Sequence, residues 1–138
     1  MGFTKRFEDT DSPRPPESKK DTGDWGEHIA ADYLVTLGCA IREFKWKGRG
    51  FEIDIVAQKG MRVIFVEVKT RKSPTVDPVG AVDYTKRSHM IHAADVYLKA
   101  LDMPLEYQFD IIGITGTPHD YTLEHVEDAF FPSVRTRR

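Results

Sequence analysis

The sequence has one cysteine and no long apolar run. Cys39 alone cannot form an internal disulfide or a cysteine-based zinc site, which agrees with a reducing compartment. No segment approaches the roughly 20 apolar residues that cross a bilayer, and residues 1–20 lack the apolar centre of a secretory signal. We therefore expect a cytoplasmic protein with no membrane association.

Familiar catalytic signatures are also missing. The chain contains no P-loop, no dinucleotide-binding glycine pattern, no nucleophile elbow and no zinc-protease helix motif. An excess of positive charge is lacking too, because the formal net charge of −2 argues against a generic basic coat for nucleic acid. Basic residues collect locally instead, at 42–49, 69–72, 86–87 and 135–138.

The length of 138 residues suits one domain with a core of its own. Residues 1–22 are rich in Pro, Asp, Ser and Lys, and this composition predicts a flexible N-terminal arm. Residues 23–130 form the predicted domain, and residues 131–138 form a basic C-terminal tail.

Hydrophobic periodicity predicts the order helix, three strands, helix, two strands. This order indicates an α/β or α+β fold, with helices packed on a mixed sheet of about five strands. A proline-containing loop is expected at 71–80. The predicted elements are helices at 24–37 and about 81–101, and strands at 40–46, 51–58, 62–70, 107–114 and 121–126.

Charged residues interrupt two strands that are otherwise apolar. Asp54 lies in the segment 51–57, whereas Glu67 and Lys69 lie in the segment 63–70. Side chains alternate along a strand, so Glu67 and Lys69 share one face, opposite three apolar neighbours. Burying such charges costs several kcal/mol unless they pair with one another or hold a metal. The pattern therefore predicts a site.

Two explanations fit this charge. Glu67 and Lys69 form an ion pair on a solvated sheet face, with Asp54 at a strand edge, or Asp54 and Glu67 converge as oxygen ligands for Mg²⁺ or Mn²⁺. Such an ion activates a bound water and neutralises charge on a phosphate oxygen, while Lys69 orients the water or contacts the phosphate. The apolar faces of both strands favour the second explanation.

Three further residues are candidates for the same site. Glu27 lies at the edge of the apolar stripe of the first helix, where it either reaches the site or is a first-turn acid favoured by the helix dipole. Lys86 lies on the buried row of the second helix, where its stem snorkels across the core edge or its ammonium points into the site. Glu52 shares the strand face of Asp54.

The order of these residues resembles that of the restriction-endonuclease-like nucleases, whose motif is an aspartate followed by Asp or Glu, any residue, and lysine. Over about residues 23–130 the chain is similar to the YraN-like family of uncharacterised bacterial proteins, relatives of archaeal Holliday-junction resolvases. The supporting segments are Gly26-Glu27 with Ala30 and Tyr33-Leu34, Glu52-Ile53-Asp54, Phe65 to Arg71, Gly80-Ala81-Val82 with Lys86, Ala94 with Tyr97-Leu98, and Phe109-Asp110.

The resemblance implies a restriction-endonuclease-like α/β core and a catalytic role for four residues. Glu27, Asp54 and Glu67 correspond to metal-binding acids, with Mg²⁺ or Mn²⁺ as the cofactor, and Lys69 corresponds to the catalytic lysine. Lys86 matches a second-helix lysine that contacts phosphate. Ile53 stands where some relatives have a proline before the aspartate.

The leading functional hypothesis is a metal-dependent nuclease, or a nuclease-like protein, acting on DNA that is branched or partly single-stranded. Arg49, Arg71 and Lys72, together with Lys86, are the expected phosphate contacts. A catalytically silent nucleic-acid-binding module and a protein–protein adaptor are the alternatives on the same fold. Resolvase kinship is compatible with a homodimer, although no residue pattern specifies its interface.

Overall fold

A computed structural model describes residues 2–8, 19–73, 84–101, 105–130 and 132. The order predicted from the sequence, helix, three strands, helix, two strands, is confirmed from the first helix onward, as is the α/β class. One strand precedes that order. The elements are β1 Gly2–Glu8, α1 Lys19–Thr36, β2 Ala40–Gly48, β3 Phe51–Lys59, β4 Arg62–Arg71, α2 Tyr84–Leu101, β5 Glu106–Thr117 and β6 Asp120–Phe130.

All six strands form one mixed sheet in the order β1-β6-β5-β4-β3-β2. Neighbouring strands are antiparallel except β4 and β5, which run parallel and have α2 between them in the chain. A turn at Gly60 and Met61 joins β3 to β4, and Gly60 adopts a φ of 60° that a glycine tolerates without strain. Strands β3 and β4 therefore form a tight hairpin.

Each helix covers one face of the sheet. Residues of α1 pack in one hydrophobic core with the inward side chains of β3 to β6, and residues of α2 pack in a second core on the opposite face. Phe65 and Val66 are adjacent in β4, lie in opposite cores and are both fully buried. Strand β4 is thus apolar on both sides, and charged residues near its end need a specific reason.

The N-terminal segment differs from the predicted flexible arm at 1–22. Gly2–Glu8 forms strand β1 along β6, and α1 begins at Lys19. An edge strand is held by backbone hydrogen bonds to its neighbour, so a polar segment that cannot form its own core can still extend a sheet. The prediction of an arm is wrong for these residues.

Some predictions lie outside the described residues. They are the part of the N-terminal arm at 9–18, most of the loop at 71–80, the start of the second helix before Tyr84 and, apart from residue 132, the basic tail at 131–138. Within the described part of the chain, neither helix combines the length and apolar character that a bilayer span requires.

Candidate active site

Strand β4 directs Glu67 and Lys69 toward the face covered by α2. Phe65 packs in the α2-side core and Val66 in the α1-side core, and the same alternation continues to the end of the strand. Glu67 is only 4% exposed, and Lys69 is half-buried. The two residues therefore share a face, as the sequence predicts.

Asp54 lies where strand β3 changes faces. Ile53 packs in the α2-side core and Ile55 in the α1-side core, so the usual alternation of side chains breaks at the aspartate. The pairing of β3 with β4 also ends at Ile55. Asp54 Oδ2 instead accepts a hydrogen bond from the backbone N–H of Val68 at 2.8 Å. This bond anchors the carboxylate beside Glu67.

The hydrogen bond from Val68 holds the Asp54 carboxylate beside the residue that follows Glu67, so the two carboxyl groups lie close enough to influence each other's ionisation. Burial, and then the charge of Asp54, raise the pKa of Glu67 to about 8, while the ammonium groups of Lys86 and Lys69 act in the opposite direction. Burial also raises the pKa of Asp54, which the hydrogen bond from Val68 and the charge of Lys86 partly offset. The pair therefore retains a proton at neutral pH.

One buried oxygen of Glu67 accepts no hydrogen bond. This atom, Oε1, lies 3.6 Å from Nζ of Lys86, which is within ion-pair range but too long for a hydrogen bond. Lys86 reaches the carboxylate from the first turn of α2. The ammonium of Lys86 therefore points toward Glu67 and does not extend across the core edge.

Glu27 is held by a lysine rather than by the other acids. Lys45 Nζ donates hydrogen bonds to both of its carboxylate oxygens, at 2.8 and 2.9 Å, and lies 3.4 Å from Asp24. Burial is the largest effect on Glu27 and raises its pKa, the hydrogen bond from Lys45 lowers it, and the charge of Asp54 raises it again. Among the described residues, no three His, Cys, Asp or Glu side chains are grouped so as to hold a metal ion. Of the three predicted acids, Asp54 and Glu67 therefore converge, whereas Glu27 is paired with Lys45.

Gly26 sets how closely α1 approaches the sheet beside Glu27. A Cβ added at this position would overlap Oγ1 of Thr70 in β4. The helix therefore lies against the strand that carries Glu67 and Lys69 only because residue 26 has no side chain.

The predicted phosphate contacts lie mostly at one end of the sheet. Arg71 ends β4 and Lys72 follows it, with Arg71 half-buried and Lys72 exposed. Arg49 is exposed in the turn between β2 and β3, and its φ is 57°. It also lines a cavity of about 500 Å³ with residues of α2 and β5, to which neither Asp54 nor Glu67 contributes.

Two further features were not predicted from the sequence. Lys45, the partner of Glu27, lies 18 residues away along the chain, and its position alone gave no signal. Tyr33, His125 and Asp110 form a buried chain of hydrogen bonds of 2.8 Å each, which ties α1 to β5 and β6. In the sequence, only the position of Asp110 inside an apolar strand indicated this network.

Glu52, the additional acidic candidate, is half-buried, and its charge raises the pKa of Asp54.

Comparison with known proteins assigns the chain to a family. The model of the uncharacterised protein family UPF0102 matches residues 26–114. The chain belongs to the UPF0102 family. The YraN-like resemblance inferred from the sequence is thereby confirmed, and the matched UPF0102 segment contains Glu27, Asp54, Glu67 and Lys69.

Individual UPF0102 proteins match most of the chain. A UPF0102 protein of Bacteroides thetaiotaomicron is 38% identical over 111 residues, which cover 80% of this chain and 92% of the relative. One from Phocaeicola vulgatus is 39% identical over 113 residues, covering 81% and 93%. A third, from Chlorobium chlorochromatii, is 37% identical over 124 residues, covering 85% and 96%.

The converging acids of this UPF0102 chain fit a divalent cation. The buried carboxyl group of Glu67 cannot ionise beside Asp54 without a compensating positive charge, and its Oε1 lacks a hydrogen-bond donor. Mg²⁺ binds through one or two protein carboxylates and leaves its other positions to water or substrate phosphate. Lys69 and Lys86 add positive charge beside the pair, which suits an anionic ligand such as a phosphate.

Proposed function

We propose that this protein is a metal-dependent nuclease that hydrolyses DNA phosphodiesters. The observation that supports this most directly is the pair formed by half-buried Asp54 and buried Glu67, in which Oε1 of Glu67 has no hydrogen-bond donor. These two residues hold Mg²⁺ or Mn²⁺, which when bound neutralises negative charge on the phosphate.

The lysines act on the water and on the phosphate. Lys69 lies on the same strand face as Glu67, close enough for its charge to lower the pKa of that carboxyl group. From there its ammonium donates a hydrogen bond to the oxygen of the attacking water and so orients it. Lys86 Nζ, which faces Glu67 Oε1, binds a phosphate oxygen when DNA is present.

Contacts to the DNA backbone come from the basic residues at the same end of the sheet. Arg71 and Lys72 continue β4 beyond Lys69, and Arg49 in the turn between β2 and β3 adds a further exposed cation. Phosphate contacts of this kind do not read sequence and weaken steeply with salt. The resemblance to Holliday-junction resolvases supports branched or partly single-stranded DNA as the substrate and a homodimer as the active form.

A nucleic-acid-binding module without cleavage is the second candidate. It is supported by the ion pair between Glu27 and Lys45 and by the raised pKa of Glu67, since both leave the site less charged at neutral pH. The basic residues would still bind phosphates in such a protein.

A cleavage assay separates these candidates. We expect the unmodified protein to cut duplex, single-stranded or four-way-junction DNA with Mg²⁺ or Mn²⁺ and not with EDTA. Lys69→Met should lower the rate by about 100-fold or more, and Glu67→Gln should abolish cleavage. Glu106→Gln is the matched control, because this exposed carboxylate pairs with Arg62 at the other end of β4.

Each alternative outcome has a different meaning. Cleavage that persists in EDTA or in Glu67→Gln would refute the metal site. Binding to the three DNA forms without cleavage, with either metal, would favour the silent module. The absence of both binding and cleavage would favour a protein–protein adaptor.

A further inference from the structure

Lys45 has a backbone conformation that lysine rarely adopts. Its φ is 51°, in the left-handed region, although it lies within strand β2. Asn and Gly tolerate this region better than lysine, and a long side chain here carries a conformational cost. The pairing of β2 with β3 skips Lys45 and Asp54, so the ladder is interrupted at both residues. Some interaction of the Lys45 side chain must favour this arrangement.

That interaction is with the acidic residues at the start of α1. Lys45 Nζ donates to both oxygens of Glu27, at 2.8 and 2.9 Å, and lies 3.4 Å from Asp24 Oδ1. The side chain of Glu27 is only 11% exposed, so its carboxylate has lost most of its water. A hydrogen-bonded ammonium at this distance supplies the counter-charge that such a carboxylate needs.

Glu27 is also within electrostatic reach of the converging pair. The charge of Asp54 acts on Glu27, whereas Glu67 is influenced by Asp54, Lys86 and Lys69. Lys45 stands opposite Asp54 in the register of β2 and β3, because Phe44 faces Ile55 and Trp46 faces Ile53. Glu27 and Glu67 thus differ in one respect: the ammonium of Lys45 is hydrogen-bonded to Glu27, whereas no ammonium in the described part of the chain is hydrogen-bonded to the buried Oε1 of Glu67.

We infer that the ammonium of Lys45 occupies the cation position beside Glu27 and thereby restricts the divalent-cation site to Asp54 and Glu67. Lys45 is a positioning residue in this scheme, because it acts through Glu27 and touches no substrate. The inference rests on the proposed function in using Asp54 and Glu67 as the cation site. It predicts that removing the ammonium makes Glu27 available as a third carboxylate.

The test measures Mn²⁺ binding to the full-length protein by titration calorimetry and by electron paramagnetic resonance. Lys45→Asn keeps a residue type that accepts positive φ and removes the charge. We expect this variant to bind Mn²⁺ at least about tenfold more tightly, since a third carboxylate is added. Lys45→Arg, which keeps a cation, should bind like the unmodified protein. Lys45→Asn combined with Glu27→Gln should return to the unmodified affinity.

The outcomes distinguish this inference from the proposed function. If the unmodified protein binds Mn²⁺ and Lys45→Asn binds it equally or more weakly, the role of Lys45 is refuted and the proposed site stands. If only Lys45→Asn binds Mn²⁺, the role of Lys45 is supported, while the metal site proposed for the unmodified chain is refuted. If neither protein binds Mn²⁺, both are refuted. Thermal unfolding of each variant checks that it is folded.

Discussion

Glu67 links the stability of the metal-free protein to pH. Burial and the charge of Asp54 raise its pKa from an ordinary 4.5 to about 8. Because the folded protein holds this proton more tightly than the unfolded chain, the stabilising contribution is fully present below 4.5 and is lost as the pH rises through about 8. A carboxylate that destabilises its own fold at neutral to alkaline pH is typical of a functional site rather than a structural ion pair.

Glu67→Gln should remove this pH dependence, because the amide keeps the shape and does not titrate. The free energy of unfolding of both proteins is compared in EDTA at pH 5 and at pH 9. We expect its decrease over this range to be larger for the unmodified protein than for Glu67→Gln, by about 3 to 5 kcal/mol. Urea unfolding at a series of pH values measures the difference. Glu106→Gln, whose carboxylate is exposed, should follow the unmodified protein. If the free energy of unfolding of Glu67→Gln changed with pH as it does in the unmodified protein, the raised pKa of Glu67 would be contradicted.

The site residues could be predicted from the sequence only as far as local rules reach. Strand alternation puts Glu67 and Lys69 on one face, and helical spacing puts Lys86 on a buried row. The partner of Glu27 could not be predicted, because it depends on a left-handed residue at Lys45 and a contact across 18 residues of chain.

Helix α1 depends on Gly26 for its distance from the sheet. Gly26→Ala adds a methyl group that would overlap Thr70 Oγ1, so the helix or the strand must shift. We expect a loss of stability of about 1 to 3 kcal/mol, as for other overpacked positions, and weaker binding of Mn²⁺ because the end of β4 moves. Chemical denaturation and calorimetry measure the two effects.

A double-mutant cycle identifies the cause. Thr70→Ala removes the overlapping oxygen, so the double variant Gly26→Ala with Thr70→Ala should be more stable than the sum of the two single effects predicts. Strict additivity would show that the cost of Gly26→Ala arises elsewhere, for example from the backbone alone.

The elements were predicted from periodicity, and the exceptions have physical causes. Strands β2 to β6 and both helices follow the apolar pattern of their own residues. Strand β1 does not, because it is held by backbone pairing with β6, which composition cannot reveal. The buried hydrogen-bond chain of Tyr33, His125 and Asp110 joins residues up to 92 positions apart, so it could not be predicted from local sequence patterns.

The whole molecule combines a slightly acidic chain with a basic end of the sheet. A net charge of −2 gives little general attraction to DNA. In the proposed function, phosphate binding therefore comes from the local group formed by Lys69, Arg71, Lys72 and Lys86 around the acidic pair.

Anomalous diffraction from crystals soaked in Mn²⁺ tests most directly whether Asp54 and Glu67 hold a divalent cation. We predict one anomalous peak within coordinating distance of both carboxylates, with Glu27 still paired to Lys45. The peak should be absent in crystals of Glu67→Gln and present in crystals of Glu106→Gln. Density in the unmodified protein that shows Asp54 and Glu67 sharing a hydrogen bond, with no peak between them at saturating Mn²⁺, would contradict the metal site.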